Sequence, residues 1–230
     1  MKETNIVNSP IASEEFENKK SQAYNYIKNA LTSHVFPSGT VLSERKLSEM
    51  YDMSRTPIRD ALNQLTHEGL LKFVPGQGAT VPEYTIEDIL EVYDLMEIMQ
   101  IYAIQRCIQN YDRIPVQKIS DIFHSMEASL QSDDINDFVR WDHDFHQFFI
   151  VNSGNQRLME QFEPLDAQSS RFKATATEER TQASRSSREH KAVLDAFLSR
   201  DPDAAAAAMK NHYQNIRQYH IDKLLFRIKF

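Results

Sequence analysis

The chain has 230 residues, carries 26 Lys and Arg against 33 Asp and Glu, and is 41% hydrophobic. That length suits two domains, and a single cysteine, Cys107, excludes an intramolecular disulfide framework. No apolar run approaches the ~18–20 residues that span a bilayer.

Charge is unevenly distributed. Residues 18–82 hold eight Lys and Arg against five Asp and Glu, whereas residues 83–230 hold 17 against 24. An acidic protein with a locally basic segment is compatible with nucleic-acid binding, and the acidic remainder weakens non-specific attachment.

In chain order, residues 1–17 are polar and acidic, with little to bury and no apolar core of a signal peptide. They are expected to form a flexible arm on a cytoplasmic protein. Ala23, Ile27, Ala30 and Leu31 line one face of a first helix over about 18–34, which Phe36-Pro37-Ser38-Gly39 breaks. Ser43 suits the N-cap of a short helix reaching about Tyr51. Asp52-Met53 makes a turn, and Ser54 offers its hydroxyl to the open amides of a second helix. Two short helices joined by such a turn are a helix-turn-helix. Its second helix presents Arg55, Thr56 and Arg59 in the first turns, where a recognition helix meets bases and phosphates. Ile58, Leu62 and Leu65 form the opposite, inward face. Gly69 ends this helix. Residues 70–74, a turn at Pro75-Gly76-Gln77-Gly78 and residues 79–81 then read as a hairpin with Gly76 at its tip.

Beyond Pro82 only helical periodicity remains. Thr85-Ile86-Glu87-Asp88 caps a long helix, and further helices follow over about 116–130, 135–151 and from 156 into the 170s. Residues 174–187, rich in Thr, Ser and Glu, read as a loop or frayed helix end. Ser186 and Glu189 form a capping box for a fifth helix reaching Leu198, and Asp201-Pro202 starts the last. Cys107 lies in an apolar helical run, so a packing role is expected. The expected fold is mainly α: a winged helix-turn-helix over 18–82, then an antiparallel all-α bundle of about six helices over 83–230.

The run Phe36-Pro37-Ser38-Gly39-Thr40-Val41-Leu42-Ser43-Glu44-Arg45, with Ser54-Arg55-Thr56-Pro57-Ile58-Arg59-Asp60-Ala61-Leu62 and Glu68-Gly69-Leu70, resembles the winged helix of GntR-family bacterial transcription regulators. The resemblance implies that Arg45, Arg55 and Arg59 contact DNA and that Gly76 enters the minor groove. A lone winged helix offers little contact, so a homodimer on a near-palindromic operator is expected.

Trp141-Asp142-His143-Asp144-Phe145-His146 sets Asp142 and His146 at i and i+4, able to close on one ion. His190 and His212 each come from a further helix. A carboxylate and three imidazoles suit zinc, nickel, manganese or iron, zinc first. Spacing alone leaves the ordinary reading open, because helical histidines are more often packing or solvated polar groups. Residues 86–220 are also similar to the FCD effector domain of FadR-type regulators, nearest the VanR-like subgroup. That similarity rests on Asp142-x-x-Phe145-His146, Ser153-Gly154-Asn155, Glu189-His190-Lys191-Ala192-Val193 and His212. It implies a divalent metal held by Asp142, His146, His190 and His212, with a small carboxylate effector completing or flanking the coordination, and it makes the bundle the dimerisation module. His143, Asp144, His34, His67, His124 and His220 read as solvated or packing residues. The branch usually carries an arginine where Met96 stands and a glutamate at Gln100. With Met96 apolar, either the ligand is less acidic or its anion is held by the metal and another donor, such as Arg140 or Arg171.

Three functions follow in order: an effector-responsive transcription regulator, a metal-dependent enzyme, and a DNA-binding protein indifferent to small molecules. Asp and His around an open metal could activate water. No motif places a separate general base, however, and no phosphate loop or nucleophile elbow is present. The expectation is not an enzyme.

Overall fold

The computed structural model describes residues 10–132, 134–172 and 176–229. They form two compact units, divided between Glu83 and Tyr84.

In the first unit, α1 (Pro10–Thr32), α2 (Glu44–Tyr51) and α3 (Arg55–His67) precede a hairpin of β1 (Lys72–Val74) and β2 (Gly78–Thr80). Helix α1 starts well before residue 18, so the expected arm is helical from Pro10; residues 1–9 of it lie outside the described residues. Ala23, Ile27 and Leu31 of α1 are buried with Leu47 of α2, Ile58, Leu62 and Leu65 of α3, and Leu70 and Leu71. Tyr24 of α1 donates to Glu68 at 2.8 Å, which pins α1 to the end of α3. Asp52 ends α2 in the left-handed region, at φ 49°. The strands pair Lys72 with Thr80 and Val74 with Gly78, and Val41 bridges to Thr80 beside them. The wing tip turns on Gly76, whose φ of +80° a side chain would resist.

Among its described residues the second unit is helical, with six α-helices as the periodicity suggested: α4 (Ile86–Gln109), α5 (Val116–Gln131), α6 (Ile135–Asn152), α7 (Gln156–Ser169), α8 (Ala176–Leu198) and α9 (Pro202–Lys229). The Thr85–Asp88 capping box is formed: the Thr85 hydroxyl accepts from the Asp88 amide, and the Asp88 carboxylate accepts from the Thr85 amide. Asp134 caps α6, Asn155 caps α7 and Asp201 caps α9, each accepting from the amide three residues on. Helix α4 packs on α9, α6 and α7, around a core that includes Phe123, Phe145, Phe149, Phe162 and Phe197. Cys107 is buried there and its thiol donates to the Phe149 carbonyl at 3.4 Å. Among the described residues, no helix is long and apolar enough to cross a membrane.

One expected boundary is corrected. Residues 176–187 are helix, continuous with the rest of α8; of the expected loop, 174 and 175 lie outside the described residues. Ser186 is therefore not an N-cap. It is buried in mid-helix and accepts from Gln182 at 3.2 Å. The polar composition that suggests a loop belongs to an inward face of Gln182, Ala183, Ser186 and Ser187, all buried.

Candidate metal centre, cavity and DNA-reading surface

Three helices of the second unit converge on one point. Asp142 and His146 leave α6 one turn apart, His190 leaves α8 and His212 leaves α9. The Nε2 atom of His190 lies 3.1 Å from that of His146 and 3.3 Å from that of His212. Asp142 Oδ1 is 3.6 Å from His190 Nε2. Donors around one tetrahedral ion, at bonds of about 2.0–2.1 Å, sit about 3.3 Å from one another; the three imidazoles, whose ligand atoms all lie within 4.8 Å of one another, fit a shared ion, while Asp142 stands outside that group and approaches it at His190. The donor set also fits, since three nitrogens and one carboxylate oxygen suit zinc and its first-row neighbours.

The surroundings prepare the imidazoles for that role. His146, His190 and His212 are all buried. Desolvation, then repulsion from neighbouring histidines, holds the His146 and His190 pKa values well below the ordinary 6.5, which leaves both rings neutral with a lone pair free. His212 Nδ1 lies 2.9 Å from a Glu189 oxygen and donates to it, so its lone pair sits on Nε2, toward His190. Glu189 is itself fixed by Asn215 at 2.8 Å and Arg185 at 3.2 Å. Burial raises its carboxyl pKa, but the bonds from His212 and Asn215 outweigh that and hold it below the ordinary value. Phe145 packs against His190 with ring centroids 4.7 Å apart. Gln100, fully buried on α4, donates to the His146 carbonyl at 3.1 Å and ties α4 to the α6 backbone at a candidate ligand.

A cavity of about 170 Å³ opens beside these donors, and Asp142, His146 and His212 form part of its wall. Engineered apolar cavities of ~150 Å³ hold benzene, which sets the scale of a small metabolite. Its lining includes the apolar Met96, Phe138, Val139 and Ile216 and the polar Ser169, Ser170, Gln182 and Ser186. Among the described residues, no arginine or lysine lines it.

The candidate effector residues therefore divide. Met96 is in the wall. Arg140 lies two residues before Asp142, about 200° around the helix, where it pairs with Asp137 at 3.1 Å and stacks on Trp141. The Arg171 guanidinium lies over the Tyr84 ring at 4.7 Å, and neither arginine lines the cavity. Two histidines expected to be solvated or packing residues do line it. His143 pairs with Asp166 at 3.0 Å, and that bond raises its pKa; His220 stacks on Tyr93. Sequence reasoning missed Glu189 as the partner of His212, because the contact crosses from α8 to α9.

On the first unit, Arg45, Ser54, Arg55, Thr56, Arg59 and Gly76 are all exposed. Ser43 and Ser54 take the extended backbone of N-caps, yet neither hydroxyl caps its helix. The α3 amides that Ser54 is expected to cap thus receive no bond from it. The Arg59 guanidinium grips Glu44 through two bonds of 2.9 Å and holds that carboxyl below its ordinary pKa, while Arg45 pairs with Glu49 at 3.0 Å.

A winged helix-turn-helix with exposed arginines on its recognition helix, joined to an all-helical unit, defines a DNA-binding transcription regulator. Residues 19–81 match the bacterial regulatory proteins of the gntR family and residues 91–215 match the FCD domain; the chain belongs to the GntR family, with an FCD domain. It is similar to the HTH-type transcriptional repressor RspR of Escherichia coli K12, 22% identical over 197 residues and 86% of each chain. The gluconate operon transcriptional repressor of Bacillus licheniformis is 30% identical over 134 residues, 58% of this chain and 54% of that one. Among solved structures, E. coli McbR/YncC shares the fold with a TM-score of 0.75 at 19% identity, covering 90% of this chain and 98% of that one. A putative GntR transcriptional regulator from Rhodococcus sp. RHA1 does so at 0.73 and 15%, covering 89% and 98%. Its family and these relatives are regulators of transcription, not enzymes.

Proposed function

We propose that this protein is a cytoplasmic, homodimeric regulator whose affinity for a near-palindromic operator responds to a small carboxylate-bearing metabolite bound beside a divalent metal, zinc first. The observation that carries this reading is the meeting of three buried imidazoles and Asp142 at the edge of a cavity, in a chain that also bears a DNA-reading winged helix. Asp142, His146, His190 and His212 hold the metal. When bound, the ion supplies a Lewis-acidic anchor for an oxygen donor, which matters because the cavity wall offers no arginine or lysine among the described residues. Met96 shapes the apolar side, and Arg140 and Arg171, away from the wall, act at most by holding α6 and the turn after α7.

DNA binding falls to Arg45, Ser54, Arg55, Thr56 and Arg59, with Gly76 at the wing tip. The Ser54 hydroxyl and the amides at the start of α3 suit a phosphate, and Arg55 or Arg59 suits guanine. Glu44 pre-orients Arg59 for that contact. Effector binding changes operator affinity only through a difference in its affinity for two arrangements of the dimer.

The test is selection of operator DNA from a random pool by the full chain, followed by titration of that DNA with zinc and a panel of small organic acids. A selected half-site repeat whose affinity shifts at least tenfold with one acid, and only in metal-loaded protein, supports the reading. Selected DNA bound equally under every condition leaves a ligand-indifferent DNA-binding protein instead.

A further inference from the structure

The lining of the cavity runs on into a turn that leaves it. Helix α7 ends at Ser169, and a single 3-10 turn, Ser170–Phe172, follows. Ser169 and Ser170 line the cavity. With three residues to a turn, successive side chains point about 120° apart, so the next two residues aim elsewhere. Both are buried, and both close on Tyr84. The Arg171 guanidinium covers the Tyr84 ring at 4.7 Å, and the Phe172 ring meets it edge-on at 4.9 Å with an interplanar angle of 88°. Phe172 also backs the cavity, with ring centroids 5.8 Å from Tyr93 and 6.0 Å from His220, two residues of the lining. A cation over a ring face and an edge-to-face ring pair are directional contacts, so they hold Tyr84 in one orientation.

Tyr84 is where the chain enters the bundle. It is the first residue of the second unit and precedes Thr85, the N-cap of α4. Val81, three residues earlier, belongs to the first unit: its amide donates to the Thr40 carbonyl and its carbonyl accepts from the Gly39 amide, both at 2.9 Å. Only Pro82 and Glu83 lie between, and proline fixes one of their φ angles. A link that short and stiff absorbs little of any shift of Tyr84. Packing alone would be served by an apolar side chain at position 171. A buried guanidinium is costly unless its partners stay in place, which makes the contact sensitive to displacement of the turn.

We infer that Tyr84 couples the cavity to the DNA-binding unit, with Arg171 and Phe172 as the positioning residues through which the wall at Ser169 and Ser170 acts on it. A molecule that presses on Ser169 or Ser170 displaces the turn as a body, and the guanidinium and ring on its far side move with it. Tyr84 then loses its single orientation, and the start of α4 and the two-residue link lose their anchor. This inference rests on the ligand-responsive reading above and supplies a route for it. The coupling requires no particular effector and no metal.

A covalent probe in the full chain tests the route without a known effector. Ser170→Cys places a thiol in the cavity wall, native Cys107 being buried, and benzyl methanethiosulfonate attaches to it a group of benzene size. The attached group should change affinity for operator DNA selected by the wild-type chain about tenfold, and should speed amide hydrogen exchange over residues 84–88. With Tyr84→Leu or Arg171→Met added, the same modification should change operator affinity less than about twofold, whereas Tyr84→Phe, which keeps the ring, should retain the response. The two losses come from opposite sides of one contact, so if circular dichroism shows that one variant has lost its helices, the other decides. A response that survives both Tyr84→Leu and Arg171→Met overturns the coupling and leaves a ligand-responsive regulator with another route. A fully modified chain with unchanged operator affinity, in a protein whose operator affinity an organic acid does shift, also overturns it. A chain indifferent both to the acids and to the modified wall overturns the ligand-responsive reading and this coupling together.

Discussion

Substitution of His190 by alanine offers the sharpest test of the metal centre. His190 is fully buried, and its Nε2 is the atom to which His146, His212 and Asp142 all point within 3.6 Å. Loss of the ring leaves a void whatever the site binds, so wild type and variant are each compared with themselves, with and without metal. A metal held by the folded state alone stabilises it by about 2.7 kcal/mol at 100 times its Kd. In a unit of roughly 150 residues each kcal/mol moves Tm by about 2–4 °C, so zinc should raise the wild-type Tm by about 5–11 °C. In His190→Ala the same addition should raise it by less than about 2 °C, because one donor and the hub of the cluster are gone. Calorimetry of chelator-treated and zinc-loaded protein reads both shifts. Should His190→Ala gain as many degrees from zinc as wild type does, the stabilising ion sits elsewhere and the assignment of these four ligands falls.

Four further outcomes follow. Glu189→Ala, which frees His212 to adopt the wrong tautomer, should lower metal affinity about 10–100-fold in a chelator competition while the helicity stays unchanged. In metal-free protein, His146 and His190 are neutral when folded but titrate near 6.5 when unfolded, so the unfolded state takes up more protons as the pH falls. Stability should therefore be full above about pH 6.5 and decline below it toward the depressed folded pKa values, and a flat Tm between pH 7.5 and 5.5 would contradict the burial argument. Arg55→Ala should cost about 1–3 kcal/mol of operator binding if it reads a base, whereas a phosphate contact would instead lower affinity for all sequences and flatten the salt dependence. Cys107, whose thiol burial pushes up to about 12, should resist iodoacetamide in native protein and react on unfolding, as mass spectrometry of the alkylated chain would report.

The helix-turn-helix, the wing and the six helices of the bundle were legible because each rests on local rules: helical spacing of Ile58, Leu62 and Leu65, the Thr85–Asp88 box, and glycine at the wing tip. Reading failed where a side chain answers to a distant element. The serines of α8 look like loop residues from their neighbours alone, and only packing against α5, α6 and α9 makes that segment a helix with a small polar inner face. Glu189 reads as a capping residue until α9 brings His212 to it. His143 looks solvated until α7 supplies Asp166. Ser54 was legible as a position and not as a bond, since the extended backbone is fixed by the turn while its hydroxyl is free to rotate. Arg140 and Arg171 were sought as anion donors by type, but helix phase settles the first and the Tyr84 ring the second.

The serines and the alanine that line the cavity have one more implication. Ser169, Ser170, Ala183 and Ser186 are among the smallest side chains in the bundle, and all face the cavity from elements whose ends are fixed elsewhere. Exchanging a hydroxymethyl for a methyl, or a methyl for an isopropyl, would redraw the outline of the chamber by a few atoms. No candidate metal ligand, helix cap or candidate DNA-contacting arginine is touched by such a change. If the cavity holds the effector as proposed, the choice of signal is separable from the machinery that reads DNA, and a lineage can drift to a new signal by single substitutions in this wall while its operator stays the same.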